Sequence, residues 1–361
     1  MPDIINQETK IKCPVCKNDC IKDAEVVISS LSSVFSGCPS CTHTPVNMQK
    51  PPLKYQKESC PKCGRRHIDD VIAHCYFIMR EEGEIPKGLP LFKTGIPLVT
   101  PGFAMKSPPY LPKKSLVLQT PYAGCRSAKR IIDEVLEVKG VIRDNGVVPG
   151  VTRSYDNLKD EYEKSPGIFS NTLLAGCDVR CDVFFAGNVP FAVYKNQSAM
   201  HIEYPRGFDP KINSVSENVR QKLPKTFIDA CCGAGTLGIA AALFGVNNVL
   251  FNDIWYPAAF WTGANLYSNR KMLDIDNFSF FYSFDELKDA FGRRKPLKTA
   301  HLSGRFCSFD VYLGDFMELD EVMTGTDTLA ALDIFGKGDM KAHYTAVSEW
   351  KMKVGGDAFI P

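Results

Sequence analysis

Gly233, Gly235 and Gly238 stand at the spacing G-x-G-x-x-G, after the apolar run TFIDA and at the start of the apolar segment LGIAAALFG. Glycines so spaced let a backbone turn tightly and approach a ligand, and the helix start behind them offers free N–H groups. Asp253 ends the next apolar run, NNVLFND, where a carboxylate can accept hydrogen bonds from both ribose hydroxyls. An adenosine-containing ligand is expected. Asp229 lies four residues before Gly233. A carboxylate there repels a pyrophosphate and tolerates a sulfonium and an ammonium, which favours S-adenosylmethionine over a dinucleotide.

Thiols form a second group. The chain holds 14 cysteines, and Cys13, Cys16, Cys20, Cys38, Cys41, Cys60, Cys63 and Cys75 all fall near its start, in CPVC, CPSC and CPKC pairs with two extra thiols. The N-terminal stretch lacks the pattern of a secretion signal, so metal binding is expected before disulfides. Two residues between thiolates let one knuckle point both sulfurs at one ion, and two knuckles close a tetrahedron. Eighteen residues separate Cys41 from Cys60 and 21 separate Cys16 from Cys38, so spacing prefers the set Cys38, Cys41, Cys60 and Cys63. Cys13, Cys16 and Cys20 then take Cys75, His67 or His74 as a fourth ligand. Zinc is the expected occupant and an iron–sulfur cluster the alternative. Cys177 and Cys181 fall in an alternating stretch and read as buried thiols on one face of a strand.

The elements that must position these groups follow from periodicity. Residues 65–83 carry apolar positions, Cys75 among them, at helical spacing, and so do residues 127–140, where Gly140 marks the end. Prolines crowd residues 86–121, so a linker or an extended edge is expected there. Short runs at 171–175, 181–185, 191–194 and 201–204 predict an antiparallel sheet. From residue 226 the order strand, turn, helix, strand predicts a parallel doubly wound sheet. The predicted fold class is α/β. It comprises a Cys-rich module over 1–85, a Pro-rich linker over 86–125, an α+β substrate-side subdomain over 126–222 and a Rossmann-like cofactor-binding domain over 223–361.

From Phe227 through Asn269 the sequence resembles class I S-adenosylmethionine-dependent methyltransferases, within a resemblance that spans about residues 208–361. Asp229 to Gly238 looks like their first motif and Asn252-Asp253 like their second. VYLGDFMEL places Asp315 where that family contacts the adenine amino group, and ALDIFGKGD places Asp333 in the motif lining the methyl-acceptor pocket. FDPKINSVSENVRQKL resembles the lead-in of archaeal and eukaryotic tRNA guanine-N1 enzymes. Asn252-Asp253, Ala258, Asn265 and Asn269 with Asp333-Ile334-Phe335-Gly336 resemble tRNA guanine-N2 dimethylating enzymes, which have Pro where Ile334 stands. The resemblance implies a methyltransferase with Asp333 as a proton acceptor or hydrogen-bonding group on the acceptor. It also implies a fifth strand at 355–360, leaving the sheet to be completed by residues before 226 or by a homo-oligomeric partner, or to stay short.

Composition sets outer limits. Over 361 residues, 44% hydrophobic and 23% charged content excludes a chain disordered throughout, and the length suits two domains. No apolar run is long enough to span a membrane, and a cytoplasmic protein is expected. A net charge of +2 means any RNA contact must be a local patch, for which Arg65-Arg66 and Arg293-Arg294-Lys295 are candidates. Trp255, Tyr256, Trp261 and Phe335 could stack on a base, and Tyr194 to Gln197 with His201 could face the acceptor. The leading expectation is methylation of a nucleobase in structured RNA such as tRNA. The alternative is a protein of metal-cofactor assembly, for example of the iron–guanylylpyridinol cofactor, whose thiols carry iron and whose partner is a small cofactor intermediate.

Overall fold

The computed structural model describes residues 11–43, 45–150, 158–323, 325–334 and 340–361. In its first half lie α1 (Ala24–Ser30), β1 (Arg66–His67) and α2 (Ile68–Glu81). They are followed by β2 (Ile96–Val99), β3 (Tyr110–Leu111), β4 (Leu116–Thr120), α3 (Cys125–Glu134) and β5 (Val138–Arg143). Then come α4 (Leu158–Lys164), β6 (Thr172–Gly176), β7 (Val179–Ala186) and β8 (Val189–Asn196). Helix α2 follows its pattern: Val71, Ile72, Cys75, Ile78 and Met79 are buried on its inner face.

Three expectations change here. Residues 86–125 are not a bare linker, because β2 and β4 join β5 and β6 in a sheet of order β2-β4-β5-β6. Pro97 is accommodated because β2 is an edge strand. The helix expected over 127–140 stops at Glu134. Val138 at its tail, with Val141 and Ile142 just beyond it, pairs in parallel with β4 and buries there, so strand pairing overrides the helical period. Residues 201–204 form no strand; β7 and β8 pair with each other, and the chain after them runs irregularly to the next helix.

The second half contains α5 (Pro210–Lys222), β9 (Thr226–Asp229), α6 (Thr236–Leu243), β10 (Asn248–Asp253) and α7 (Tyr256–Ser268). It continues with β11 (Asn277–Phe280), α8 (Phe284–Ala290), β12 (Leu297–Ser303), β13 (Ser308–Leu313), β14 (Thr328–Ala331), α9 (Met340–Lys353) and β15 (Asp357–Phe359). Among the described residues the strands form one sheet of order β11-β12-β13-β10-β9-β14-β15. From β13 to β15 every neighbour is parallel, while β11 and β12 add an antiparallel edge. This is a Rossmann-like sheet. The chain winds outward from β9 through β10 to β13 and then returns to β14 on the other side. The crevice at the carboxyl ends of β9 and β14 is therefore the topological switch point, where such sheets bind ligands.

Apolar side chains cover both faces of this sheet. Phe227, Val249, Phe251 and Val311 pack toward α6, α7 and the β7-β8 hairpin. Ile228, Leu250 and Ala330 pack against Trp350 of α9. No described helix is long and apolar enough to cross a membrane.

Candidate active site and thiolate clusters

A cavity of about 450 Å³ opens at that switch point. Its floor is the glycine turn Ala230 to Ala234 with Asp229 and Asp253, and one wall carries Asp315 and Asp333. The opposite wall comes from β7, β8 and the irregular segment, with Phe184, Lys195, Met200 and His201 to Tyr204.

Each glycine has its own reason. Gly233 has φ +53°, lines the cavity and leaves open space where a Cβ would stand. Gly238 lies behind the turn, where a Cβ would sit 2.1 Å from Phe251, so it permits α6 to pack on β10. Gly235, with φ +83°, caps α6 and likewise does not line the cavity.

Asp229 is fully buried. Its Oδ2 accepts the Gly238 N–H at 2.8 Å, while Oδ1 has no hydrogen-bond partner among the described residues. Burial pushes its carboxyl up to about 7, against the pull of the Gly238 N–H and with help from Asp333 and Asp253. Asp253 accepts N–H bonds from Gly233 at 2.8 Å and Trp255 at 2.9 Å, and burial raises it to about 6. The Ile254 N–H also pulls on this carboxylate, which faces the cavity. Asp315 caps the short helical turn after β13, accepting from Met317 N at 3.0 Å, and faces the same space. Asp333 forms an ion pair with Lys211 of α5.

The wall opposite is polar in a different way. Lys195 is 1% exposed and donates to Glu203 Oε2 at 2.7 Å; Glu203 Oε1 meets His201 Nε2 at 3.1 Å. Burial pushes Glu203 up, but Lys195 and His201 outweigh it and hold the carboxyl well below the ordinary range. Tyr204 and Phe208, 56% and 69% exposed, flank exposed Arg206 near the cavity mouth.

The thiols fall into two sets, each with its sulfurs within 4.8 Å of one another. Cys38, Cys41, Cys60 and Cys63 come together as the spacing prefers, with sulfur separations of 3.6 Å for Cys38–Cys60 and 3.3 Å for Cys41–Cys63. The other set corrects the expected fourth ligand. Cys13, Cys16 and Cys20 meet Cys177, with Cys13–Cys177 and Cys20–Cys177 both at 3.8 Å. Cys75 belongs to neither; it sits in the core under α2, where burial pushes its thiol up to about 12. His74 contacts Arg66 and is driven down to about 4 by burial and that guanidinium, and His67 stacks on His43. A tetrahedral ion with metal–sulfur bonds of about 2.3 Å has sulfur–sulfur edges of about 3.8 Å. Both sets fit one ion. A multi-iron cluster would need its thiolates spread over several irons and so farther apart.

The remaining candidates divide, and Arg293, Arg294 and Lys295 stay exposed. Arg66 is buried in an ion pair with Glu137 at 2.6 Å, so it cannot reach a phosphate. Trp261 is fully buried and Tyr256 nearly so, in core packing, while Trp255 lines the cavity. Phe335 and Gly336 lie outside the described residues.

Comparison with known proteins adds loose structural likenesses. No protein-family model and no curated protein matches the sequence. Among solved structures, M. jannaschii tRNA m1G37 methyltransferase is similar at 12% identity and a TM-score of 0.36, over 80% of this chain and 61% of that one. P. horikoshii TYW2 in complex with MeSAdo is similar at 14% identity and a TM-score of 0.36, over 79% and 76%. aTrm5, solved with tRNALeu, follows at 13% identity and 0.30, over 69% and 59%. The chain thus spans less than two thirds of the M. jannaschii enzyme and of aTrm5.

Sequence reading did not reach Cys177 as a ligand, nor Glu203 and Lys211 as cavity residues. A sequence signal existed for Cys177: it follows Gly176, a residue type that interrupts strands, and the structure places it in the turn after β6.

Proposed function

We propose that the chain is an S-adenosylmethionine-dependent methyltransferase acting on a nucleobase in structured RNA such as tRNA. One observation carries the cofactor: the buried, unpartnered Oδ1 of Asp229 in a cavity that also holds Asp253, Asp315 and Asp333. Such a floor suits a cation and repels a pyrophosphate. S-adenosylmethionine supplies an electrophilic methyl on a good leaving group, so alignment is the main demand on the protein. Asp253 would hold the ribose, Asp315 would face the adenine amino group, and Asp229 would meet the positive end. Asp333, or His201 held by Glu203, would take the proton that the acceptor gives up.

An RNA acceptor is supported by the exposed Tyr204-Pro205-Arg206-Gly207-Phe208 stretch near the mouth, where aromatic faces can stack on a base and a guanidinium can meet phosphate. The thiolate sets would hold one zinc ion each, because all-sulfur tetrahedral donors suit that ion. Single-ion spacing gives the metal-assembly alternative no cluster site, and no observation favours it.

The test is calorimetric titration with S-adenosylmethionine and with NAD, followed by tritiated methyl transfer to bulk tRNA and to a small-molecule extract. Binding of the first ligand alone, with label in tRNA, is expected. NAD binding of equal strength, or label confined to the small-molecule extract, overturns the reading.

A further inference from the structure

Three ligands of one thiolate set lie within eight residues of each other, and the fourth comes from a distant part of the chain. Cys13, Cys16 and Cys20 precede α1, whereas Cys177 lies in the turn between β6 and β7 and is 164 residues from Cys13. Two hydrogen-bonded routes lead from this set to the cavity. The first begins at Asp178, the residue after Cys177, which is fully buried. Its Oδ2 accepts from Ser198 N at 2.7 Å, and its carbonyl accepts from Gln197 N at 3.2 Å. The carbonyl of Ala199, next in the chain, accepts the indole N–H of Trp255 at 2.8 Å, and the Trp255 backbone N–H is one of the two that hold Asp253.

The second route begins at Lys22, two residues after Cys20. Its backbone N–H donates to Tyr194 Oη at 3.1 Å, and its carbonyl accepts from Ser268 Oγ at 2.7 Å. Tyr194 is locked to Asn265 by bonds of 2.7 and 2.9 Å, and Asn265 Nδ2 also donates to the carbonyl of Ala234 at 2.9 Å, inside the glycine turn. Both routes end on residues that line the cavity. From Cys38, Cys41, Cys60 and Cys63 the corresponding route is longer: it takes five hydrogen bonds, from Ser59 through Glu137, Ser115, Thr100 with Val99, and Arg180, and it ends on the carbonyl of Glu203, away from Asp253 and the glycine turn.

We propose that one zinc ion bound by Cys13, Cys16, Cys20 and Cys177 fastens the N-terminal segment to the cofactor-binding body and thereby sets the affinity of the cavity for S-adenosylmethionine. Four sulfurs at single-ion spacing define the site, and the two routes define what it controls. Both ends of the linkage are binding equilibria, so each ion bound or lost must change the other affinity by one common factor. The other zinc ion stabilises the α2 region and is neutral toward the cofactor. The control of affinity rests on the methyltransferase reading; the metal assignment does not.

The experiment uses the full chain as wild type, Cys177→Ser and Cys63→Ser. Each is assayed for zinc content, for S-adenosylmethionine affinity by calorimetry and for proteolytic cleavage within residues 11–23. Wild type is expected to carry two zinc ions. Each variant should carry one, with affinity lowered about tenfold or more in Cys177→Ser and within about twofold of wild type in Cys63→Ser. To keep the test independent of how Cys177→Ser folds, Cys63→Ser is also stripped with chelator and reloaded with zinc. Affinity should fall on stripping and return on reloading, with cleavage appearing and disappearing in step. Cys177→Ser that keeps two zinc ions overturns the site. Equal losses in both variants, or unchanged affinity after stripping, overturn the coupling. Wild type that carries two zinc ions and binds no S-adenosylmethionine overturns the functional reading and the coupling while leaving the metal site standing.

Discussion

Lys211, in the first turn of α5, forms an ion pair with Asp333 just beyond β14, on the wall of the cavity. The ammonium offsets one of the carboxylates there without removing Asp333 from the acceptor side. Asp333→Asn should lower methyl transfer about 100-fold, the scale of a lost proton acceptor, and weaken cofactor binding about fivefold, because it leaves the cavity one charge more positive. Lys211→Met should move binding the other way. It leaves the cavity one charge more negative, so S-adenosylmethionine should bind about fivefold more tightly. Calorimetry and single-turnover transfer rates separate the two effects.

Asp229 and Asp253, raised to about 7 and about 6, make cofactor binding depend on pH. A cation in the cavity favours both ionised forms, so binding should release protons wherever the empty site still holds them. Affinity should climb from about pH 5 to about pH 8 and level off above. Titration in two buffers of different ionisation enthalpy measures the release. Stability runs the other way. A group whose folded value is raised is protonated more in the fold than in the unfolded chain, so its contribution falls as pH rises from the ordinary carboxyl value to about 7. The melting temperature of ligand-free Asp229→Asn should therefore gain on wild type between pH 5 and pH 8.

The parts that could be read from sequence are local. The glycine turn, the strand ends at Asp229 and Asp253 and the helix bearing Cys75 each depend on residues a few positions apart, and β9, α6, β10 and α2 form where the pattern places them. Cys75 already sat among the apolar positions of its helix, a better guide than its nearness to the other thiols. Long-range pairing is what periodicity cannot carry. Cys177 reaches Cys20 across 157 residues, and β4 becomes an inner strand through pairing with β5 on one side and β2 on the other. Arg66 looked like a surface charge because its partner Glu137 lies 71 residues away.

Lys195 and Glu203 differ in exposure, 1% against 31% for their side chains, and that asymmetry predicts unequal costs. Glu203→Ala strands a buried ammonium and should cost about 3–5 kcal/mol. Lys195→Met leaves a carboxylate that still reaches His201 and partly faces water, and should cost less. Because Glu203 is held below its ordinary range, its contribution is complete above about pH 4.3 and is lost as pH falls toward its lowered folded value. Thermal melts of the two variants at pH 4 and pH 7 check both statements. His201→Asn should keep cofactor affinity and lower transfer about 100-fold if the imidazole takes the acceptor's proton.

Gly233 and Gly238 separate binding from packing within one turn. A methyl at Gly238 would meet Phe251 Cε1 at 2.1 Å and its Cζ at 2.7 Å, so α6 must move off β10. Gly238→Ala should cost about 1–3 kcal/mol, the scale of overpacking, and its loss of cofactor affinity should follow its loss of stability. A methyl at Gly233 meets nothing within 4 Å, although its φ of +53° costs an alanine about 1 kcal/mol. It would project into the space claimed for the ligand. Gly233→Ala should therefore lose S-adenosylmethionine affinity out of proportion to its small drop in melting temperature. Equal cofactor affinity in Gly233→Ala and wild type would remove the glycine turn from the binding site.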